Sequence, residues 1–235
     1  MELTIIVPVY NEANNLARLE NELSKFIMEA LVPTKVLFIN DGSQDNSLEI
    51  IQSICRKHER FSHLSFDKNY GLSTALKAGF DNINTALTGY IDADLQTHPE
   101  DFNLLLKHIK SYDLITGNRA HRKDSFLKRI TSTSANFFRR IFTGDGMEDT
   151  GCPLKIIKTE YAKKIPMFKG FHRFLPALVL LQNGTVKQIP VPHYPRIADT
   201  TSFGLLNRSI AIIDCFFFLW VKYRYINYTI TTASN

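Results

Sequence analysis

The chain has 235 residues, of which 44% are hydrophobic and 22% charged, a composition typical of a globular protein. Its formal net charge of +5 indicates an anionic partner such as a phosphorylated ligand, an acidic lipid or nucleic acid, although a mildly basic protein without such a partner has the same charge. The three cysteines are scattered and form no Cys-x-x-Cys pair, which excludes a zinc or redox motif of that kind and fits a reducing compartment.

Hydrophobic periodicity predicts strands and helices that alternate along the first half of the chain. Predicted strands cover residues 3–9, 35–39, 64–66, 88–92, 114–117, 154–157 and 185–191. Predicted helices cover residues 13–30, 45–58, 72–84 and 99–110, a further helix opens at 171–176, and a strongly aromatic helix covers 203–226. The first strand is expected to be buried on both faces, with Asn11 as the N-cap of the first helix. This alternation predicts an α/β fold with a mainly parallel sheet and flanking helices.

Polar clusters follow three of the predicted strands. They are Tyr-Asn-Glu at 10–12, Asp-Gly-Ser at 41–43 and Asp-Ala-Asp at 92–94. Ligands of open parallel sheets bind beyond the carboxyl ends of the strands, where all three clusters are expected to lie. The cluster at 41–43 also fits an ordinary turn that caps the next helix.

The third cluster has the spacing of a metal site. Side chains at i and i+2 of an extended backbone share one face, so Asp92 and Asp94 can converge at the end of a strand. Two hard oxygen ligands suit Mg²⁺ or Mn²⁺, which would also hold a diphosphate. Spacing alone supports a solvated turn equally well.

The segment at 118–143 is strongly basic and rich in hydroxyls, and includes Arg122, Lys128 and Ser132. Such a surface suits phosphate groups, although a solvated helix face is the simpler interpretation for most of its residues. Residues 149–152 form a compact polar cluster before the sixth strand. His193 is interpreted as a packed or hydrogen-bonding residue rather than a base or metal ligand.

The apolar runs of the C-terminal helix, at 210–213 and 215–221, are too short for a transmembrane span. Trp220, Tyr223 and Tyr225 beside Lys222 and Arg224 are typical of a helix lying at a membrane interface, and a helix docked on the domain core is equally supported. No signal peptide is expected, because the N-terminus opens directly into a strand. Together these features predict a cytoplasmic protein, peripheral on the cytoplasmic face of a membrane.

Taken together, the motifs resemble glycosyltransferase family 2, and in particular its dolichol-phosphate mannose synthase-like branch. The resemblance extends to about residue 226. The stretches that carry it are 7–12, 40–45, 69–71 with Ala75 and Gly79, 92–96, 149–152 and 172–174. It implies a GT-A nucleotide-sugar-binding domain at 1–202, a membrane-associated amphipathic helix at 203–228 and a tail at 229–235.

The resemblance also implies roles for individual residues. Asp92 and Asp94 are expected to be catalytic, with Asp92 near the ribose or diphosphate and Asp94 with Gln96 as ligands of Mg²⁺ or Mn²⁺. The predicted nucleoside pocket consists of Pro8, Tyr10, Glu12 and Asp41, and the predicted acceptor-phosphate group consists of Arg122, Lys128, Ser132 and Arg196.

The acceptor loop departs from the family pattern Arg-x-x-Gly-x-Ser-Lys-Tyr. It begins at Arg196 but carries Asp199 in place of the glycine and Ser202 in place of the lysine. Loss of that positive charge predicts weaker binding of two phosphates.

The expected reaction is inverting, metal-dependent transfer of a sugar from a nucleotide diphosphate sugar to a polyprenyl phosphate. A hydroxyl acceptor in surface polysaccharide synthesis is the alternative, and it would need a general base, for which Asp149 is the nearest candidate. A non-catalytic nucleotide-sugar-binding protein is a third interpretation. Neither a dinucleotide-binding nor a P-loop motif is present, and no nucleic-acid-binding module accompanies the basic segment. A homo-oligomer is left open.

Overall fold

The computed structural model describes residues 1–119, 142–192, 194 and 206–226, with the backbone alone for 206–213. Its strands are β1 (Leu3–Val9), β2 (Thr34–Asn40), β3 (Phe61–Ser65), β4 (Leu87–Tyr90), β5 (Leu114–Arg119), β6 (Lys155–Lys158) and β7 (Val186–Val191). Its α-helices are α1 (Ala13–Glu29), α2 (Ser47–Lys57), α3 (Leu72–Asn82), α4 (Phe102–Leu106), α5 (Thr159–Lys163), α6 (Leu175–Leu181) and α7 (Leu206–Arg224). Two 3-10 segments, Pro99–Asp101 and Phe171–Phe174, lead into α4 and α6.

The seven strands form one sheet in the order β3-β2-β1-β4-β6-β5-β7. The pairs β3–β2, β2–β1, β1–β4 and β5–β7 are parallel, which confirms the mainly parallel sheet. Strand β6 is antiparallel to both β4 and β5, a reversal that the alternation of elements did not predict. The carboxyl ends of β1, β2 and β4 consequently lie at one edge, because these strands are parallel neighbours.

The core has two layers, one on each face of the sheet. Alternate residues of β1 enter different layers, since Ile5 packs with helices α1, α2 and α4 whereas Ile6 packs with α3, α5, α6 and α7. Both residues are fully buried, which confirms that the first strand is covered on both faces. A continuous apolar run is the pattern expected of such a strand.

Three local predictions were wrong. Strand β3 starts at Phe61 rather than residue 64, and its polar residues are tolerated because it lies at the edge of the sheet. The helix predicted at 99–110 is shorter in the structure, where only α4 is α-helical. After α4 the N–H of His108 donates to the Leu105 carbonyl, which is the tighter hydrogen-bond pattern of a 3-10 turn. Asn11 is not an N-cap: it has a φ of 55°, Glu12 takes the N-cap position, and the Asn11 side chain bonds to the next loop.

Helix α7 is docked on the domain through its first described side chains. The Phe174 and Phe218 rings stack with centroids 4.9 Å apart, and an Arg173 Nη1–Asp214 Oδ2 ion pair measures 2.6 Å. Gly170 lies directly against the Asp214 carboxylate and leaves no room for a Cβ. None of the described helices has both the length and the apolar character that a membrane crossing requires.

The segment before α6 contains His172, a histidine whose neutral form is favoured. The Oγ of Ser73 lies 3.0 Å from His172 Nδ1, and the N–H of Gly170 donates to the same hydroxyl at 2.9 Å. Removal of water from the ring, with the positive charges of Arg173 and Lys155, lowers the pKa of His172 to about 3.

Acidification should therefore destabilise the protein through His172. Between pH 6.5 and 3 the unfolded chain binds a proton that the folded chain does not, so this contribution is complete above pH 6.5 and is lost as the pH falls. The expected slope from this residue is about 1.4 kcal/mol per pH unit. Denaturant unfolding of wild type and His172→Gln at several pH values measures it, and parallel stability curves for the two proteins would contradict it.

Candidate active site

A cleft with a volume of about 290 Å³ opens at the edge where β1, β2 and β4 end. Its lining residues are Pro8, Val9, Tyr10, Glu12, Asp41, Asn69, Gly71, Leu72, Asp92, Ala93 and Asp94. All four predicted nucleoside-pocket residues are in this set, and so are Asp92 and Asp94, the predicted catalytic aspartates that follow β4. The structure thus brings together the three polar clusters that the sequence places after separate strands.

Reciprocal hydrogen bonds tie the loop after β1 to the loop after β2. The N–H of Asn11 donates to Ser43 Oγ at 3.0 Å, and the N–H of Gln44 donates back to Asn11 Oδ1 at 2.8 Å. The N–H of Ala13 donates to Asp45 Oδ2 at 3.1 Å, which satisfies a donor at the start of α1 from a neighbouring loop. These bonds fix the wall of the cleft that carries Tyr10, whose side chain stays exposed.

Asp41 binds the loop that precedes α3 and so fixes another part of the cleft lining. Its carboxylate accepts hydrogen bonds from Asn69 Nδ2 at 3.1 Å and from the N–H groups of Tyr70 and Gly71 at 2.7 and 2.8 Å. Burial raises the pKa of Asp41, and the two backbone donors oppose that rise only in part. Asn69 and Gly71 were part of the family resemblance without an assigned role, and this contact explains why they line the cleft.

Gly42 is required next to Asp41 for two reasons. Its φ of 65° is a left-handed conformation, and an added Cβ would collide with the backbone of Lys68 and Asn69. Gly144 has nearly the same φ, 64°, but apart from its chain neighbours no atom of the described residues lies within 4 Å of the place where a Cβ would be added.

Gly42→Ala should therefore lower the free energy of unfolding by about 2–4 kcal/mol, from backbone strain plus the collision. Gly144→Ala should cost only the strain, about 1–2 kcal/mol. Urea unfolding of both variants separates the two effects, and equal losses would show that the contact with Lys68 has no energetic consequence.

Asp92 and Asp94 form the acidic end of the cleft. Asp92 Oδ1 accepts a hydrogen bond from the Tyr90 hydroxyl at 2.6 Å, and Asp94 Oδ1 accepts one from the N–H of Gln96 at 3.1 Å. Burial raises the pKa of Asp92 to about 6, the charge of Asp94 adds to the rise, and the Tyr90 hydrogen bond, Lys155 and Arg119 oppose it. Two carboxylates at one end of a cleft are a donor set that fits a hard divalent cation.

The predicted general base, Asp149, is engaged in a bidentate ion pair. Its carboxylate accepts from Arg119 Nε at 2.7 Å and Arg119 Nη2 at 2.9 Å, and also from the N–H of Gly151 at 3.1 Å. Burial alone would raise the pKa of Asp149, but the Arg119 guanidinium outweighs it and holds that pKa below its usual value. A carboxylate bound in this way is a weak base, so the geometry favours a structural role for Asp149.

The remaining predicted site residues divide into two groups. Gln96 does not line the cleft, although its backbone N–H contacts Asp94, and its carbonyl accepts from the N–H of Tyr194 at 3.0 Å. The four predicted acceptor-phosphate residues lie outside the described part of the chain: Arg122, Lys128, Ser132 and Arg196. His193, which was interpreted as a packed residue, lies outside it as well.

Comparison with known protein families agrees with this arrangement. The model of the family described as glycosyl transferase family 2 matches residues 4–165, which include all lining residues of the cleft. The chain belongs to glycosyltransferase family 2.

Curated relatives extend this similarity beyond the family match. The glycosyltransferase is 28% identical over 233 residues to the dodecaprenyl-phosphate galacturonate synthase of Rhizobium johnstonii, a match to 95% of this chain and 69% of that protein. It is 33% identical over 222 residues to the undecaprenyl-phosphate 4-deoxy-4-formamido-L-arabinose transferase of Shewanella sediminis, covering 90% of this chain and 65% of that one. The chain therefore spans about two thirds of the length of these relatives.

Solved structures share the fold of the glycosyltransferase. Glucosyl-3-phosphoglycerate synthase from Mycobacterium tuberculosis, solved with Mn²⁺, UDP and glucosyl-3-phosphoglycerate, has a TM-score of 0.74 at 14% identity, over 93% of this chain and 79% of that one. A mannosyltransferase from Pyrobaculum calidifontis, solved with GDP-Man and Mn²⁺, has a TM-score of 0.61 at 15% identity, over 84% and 57% of the two chains. These similarities confirm the predicted GT-A fold.

Proposed function

We propose that this glycosyltransferase moves a sugar from a nucleoside diphosphate sugar to a polyprenyl phosphate, with inversion at the anomeric carbon. The observation that carries the proposal is the single cleft that joins Asp92 and Asp94 to Tyr10 and Asp41. The acceptor class is supported by the two relatives, whose names specify dodecaprenyl and undecaprenyl phosphate. The donor class is supported by the related folds solved with UDP or GDP-Man.

In this proposal different residues of the cleft bind different parts of the donor. Pro8, Tyr10, Glu12 and Asp41 surround the nucleoside, with the exposed Tyr10 ring available for contact with the base. Asp92 faces the ribose or diphosphate. Asp94 would hold Mg²⁺ or Mn²⁺ together with Gln96, which follows it in the chain but is not among the lining residues of the cleft. The ion when bound would neutralise charge that develops on the leaving diphosphate.

Transfer follows a single displacement in this proposal. An oxygen of the acceptor phosphate attacks the anomeric carbon, and the bond from that carbon to the nucleoside diphosphate breaks. The attacking oxygen is already anionic near pH 7, so no side chain has to remove a proton. The ion-paired state of Asp149 is consistent with such a reaction, whereas a hydroxyl acceptor would require a base with free lone pairs.

We also propose that α7 lies at the membrane surface, where a lipid-linked acceptor would be found. The buried side of α7 includes Cys215, Phe218 and Val221, while Phe216, Trp220 and Tyr223 are 60%, 55% and 82% exposed. Lys222 and Arg224 are exposed on the same helix, and basic residues beside aromatic ones favour an anionic lipid interface. Cosedimentation with phosphatidylglycerol vesicles should decrease for Trp220→Ser, and equal binding by both proteins would contradict this placement.

Two measurements test the reaction. Thermal unfolding with UDP-sugars and GDP-sugars plus Mn²⁺ should identify one donor that raises the midpoint, since ligand at 100 times its Kd stabilises by about 2.7 kcal/mol. With that donor radiolabelled, product from undecaprenyl phosphate should extract into organic solvent. Label that stays in water with a glycan acceptor would support the hydroxyl-acceptor alternative, and tight donor binding without transfer to either acceptor would support a non-catalytic protein.

A further inference from the structure

Two buried residues on neighbouring strands, Tyr90 and Lys155, lie next to Asp92. Tyr90 is the last residue of β4 and Asp92 follows it two positions later, and the Tyr90 hydroxyl donates to Asp92 Oδ1 at 2.6 Å. Tyr90 is only 6% exposed, which leaves the ring little freedom to turn away. A short hydrogen bond to a carboxylate from a fixed donor sets the orientation of that carboxylate.

Lys155 is placed against Tyr90 by the antiparallel strand β6. The two residues are direct partners in the β4–β6 register, and Lys155 Nζ lies 5.9 Å from the centroid of the Tyr90 ring. Lys155 is 3% exposed, and its ammonium donates to the carbonyls of Thr150 and Cys152. Burial disfavours the charged ammonium and lowers the pKa of Lys155, and the nearby Cys152, Asp149 and Asp92 oppose that shift only in part.

We propose that Tyr90 and Lys155 are positioning residues for the transfer reaction. Tyr90 holds the Asp92 carboxylate in the orientation in which it meets the donor. Lys155 packs against the Tyr90 ring and places a positive charge near the Asp92 carboxylate. Neither residue lines the cleft, so neither would touch the substrate. This inference rests on the proposed function, because it assigns the pair to the donor-binding role of Asp92.

The decisive variant is Tyr90→Phe, which keeps the buried ring and removes only the hydroxyl. We expect kcat/KM for the donor to fall about tenfold, the size of effect seen when a hydrogen bond to a charged group is lost. Affinity for UDP or GDP with Mn²⁺, measured by calorimetry, should fall by a similar factor, with little change in the unfolding midpoint. The matched control is Tyr112→Phe, whose ring also lies under a lysine, with Lys187 Nζ 5.2 Å from its centroid, but away from the cleft.

A double-mutant cycle separates positioning from general stability. In an Asp92→Ala background, Tyr90→Phe should weaken nucleotide binding by much less than tenfold, because the oxygen that accepts the Tyr90 hydrogen bond is gone. A Tyr90→Phe protein as active as Tyr112→Phe, or an undiminished loss in the Asp92→Ala background, would overturn the inference.

Failure of the proposed function would give a different result. Wild type that binds neither UDP nor GDP would refute the donor site without bearing on the orientation of Asp92. Crystal structures of wild type and Tyr90→Phe then decide: a changed Asp92 side-chain rotamer in the variant supports the inference, and an unchanged rotamer overturns it. If Lys155→Met folds, the same displacement of Asp92 is expected in its structure.

Discussion

Asp94→Ala should reduce sugar transfer by about 1000-fold or more, a loss of roughly 4 kcal/mol of transition-state stabilisation. Asp94 is one of two carboxylates at the acidic end of the cleft and, in the proposed function, a ligand of the divalent cation. Its removal should leave charge on the departing diphosphate without compensation. Initial rates with saturating donor and undecaprenyl phosphate at several Mn²⁺ concentrations measure the loss.

A second substitution separates the charge of Asp94 from its local structural role. Asp94 Oδ1 accepts a hydrogen bond from the N–H of Gln96, so Asp94→Ala should also destabilise the turn by about 1 kcal/mol. Asp94→Asn retains an acceptor oxygen and should keep the stability while losing most of the activity. Asp81→Ala, a carboxylate outside the cleft, is the control. Turnover by Asp94→Asn within threefold of wild type would contradict the metal assignment.

Asp149→Ala should lower the free energy of unfolding by about 3–5 kcal/mol, because it leaves the guanidinium of Arg119 buried without its counter-charge. The side chains of this pair are only 10% and 16% exposed, so water cannot replace the lost carboxylate. For a chain of this length the midpoint should drop by roughly 10 °C. Differential scanning calorimetry measures the change.

An exposed ion pair provides the comparison for Asp149. Lys25 Nζ and Glu100 Oε1 are 2.6 Å apart, against 2.7 Å for the Arg119–Asp149 pair, but their side chains are 50% and 45% exposed. Glu100→Ala should leave the unfolding midpoint within experimental error. Replacing both Arg119 and Asp149 by leucine should recover part of the stability lost in Asp149→Ala, and no recovery would argue against a desolvated charge as the cause.

The parallel half of the sheet and the cleft were predictable from the sequence because both follow from local patterns. Continuous apolar runs identify strands buried on two faces, and parallel strands place their carboxyl ends at one edge. The polar residues after β1, β2 and β4 therefore had to meet. The contact between Tyr90 and Asp92 was predictable as well, because these residues have the same two-residue spacing as Asp92 and Asp94.

The contribution of β6 was not predictable in this way. Its four residues carry no signal of direction, so the pairing of Lys155 with Tyr90 depends on a reversal that only the tertiary structure shows. The ion pair of Asp149 with Arg119 likewise joins positions 30 residues apart in sequence. Because the sequence does not reveal Arg119 as the partner of Asp149, the polar cluster at 149–152 is as compatible with a general base as with a residue that only stabilises the fold.

The contacts of α7 affect how truncation experiments can be interpreted. A chain of contacts runs from Asp214 through Arg173 and the neighbouring His172 to Ser73, the residue after Leu72 in the cleft wall. Removing the helix would expose the Phe174 ring and release Gly170 from the Asp214 carboxylate. Loss of activity in a C-terminally shortened protein would therefore have two explanations: loss of a lipid contact of α7, or collapse of the cleft. Point substitutions on the outward face of α7 separate the two.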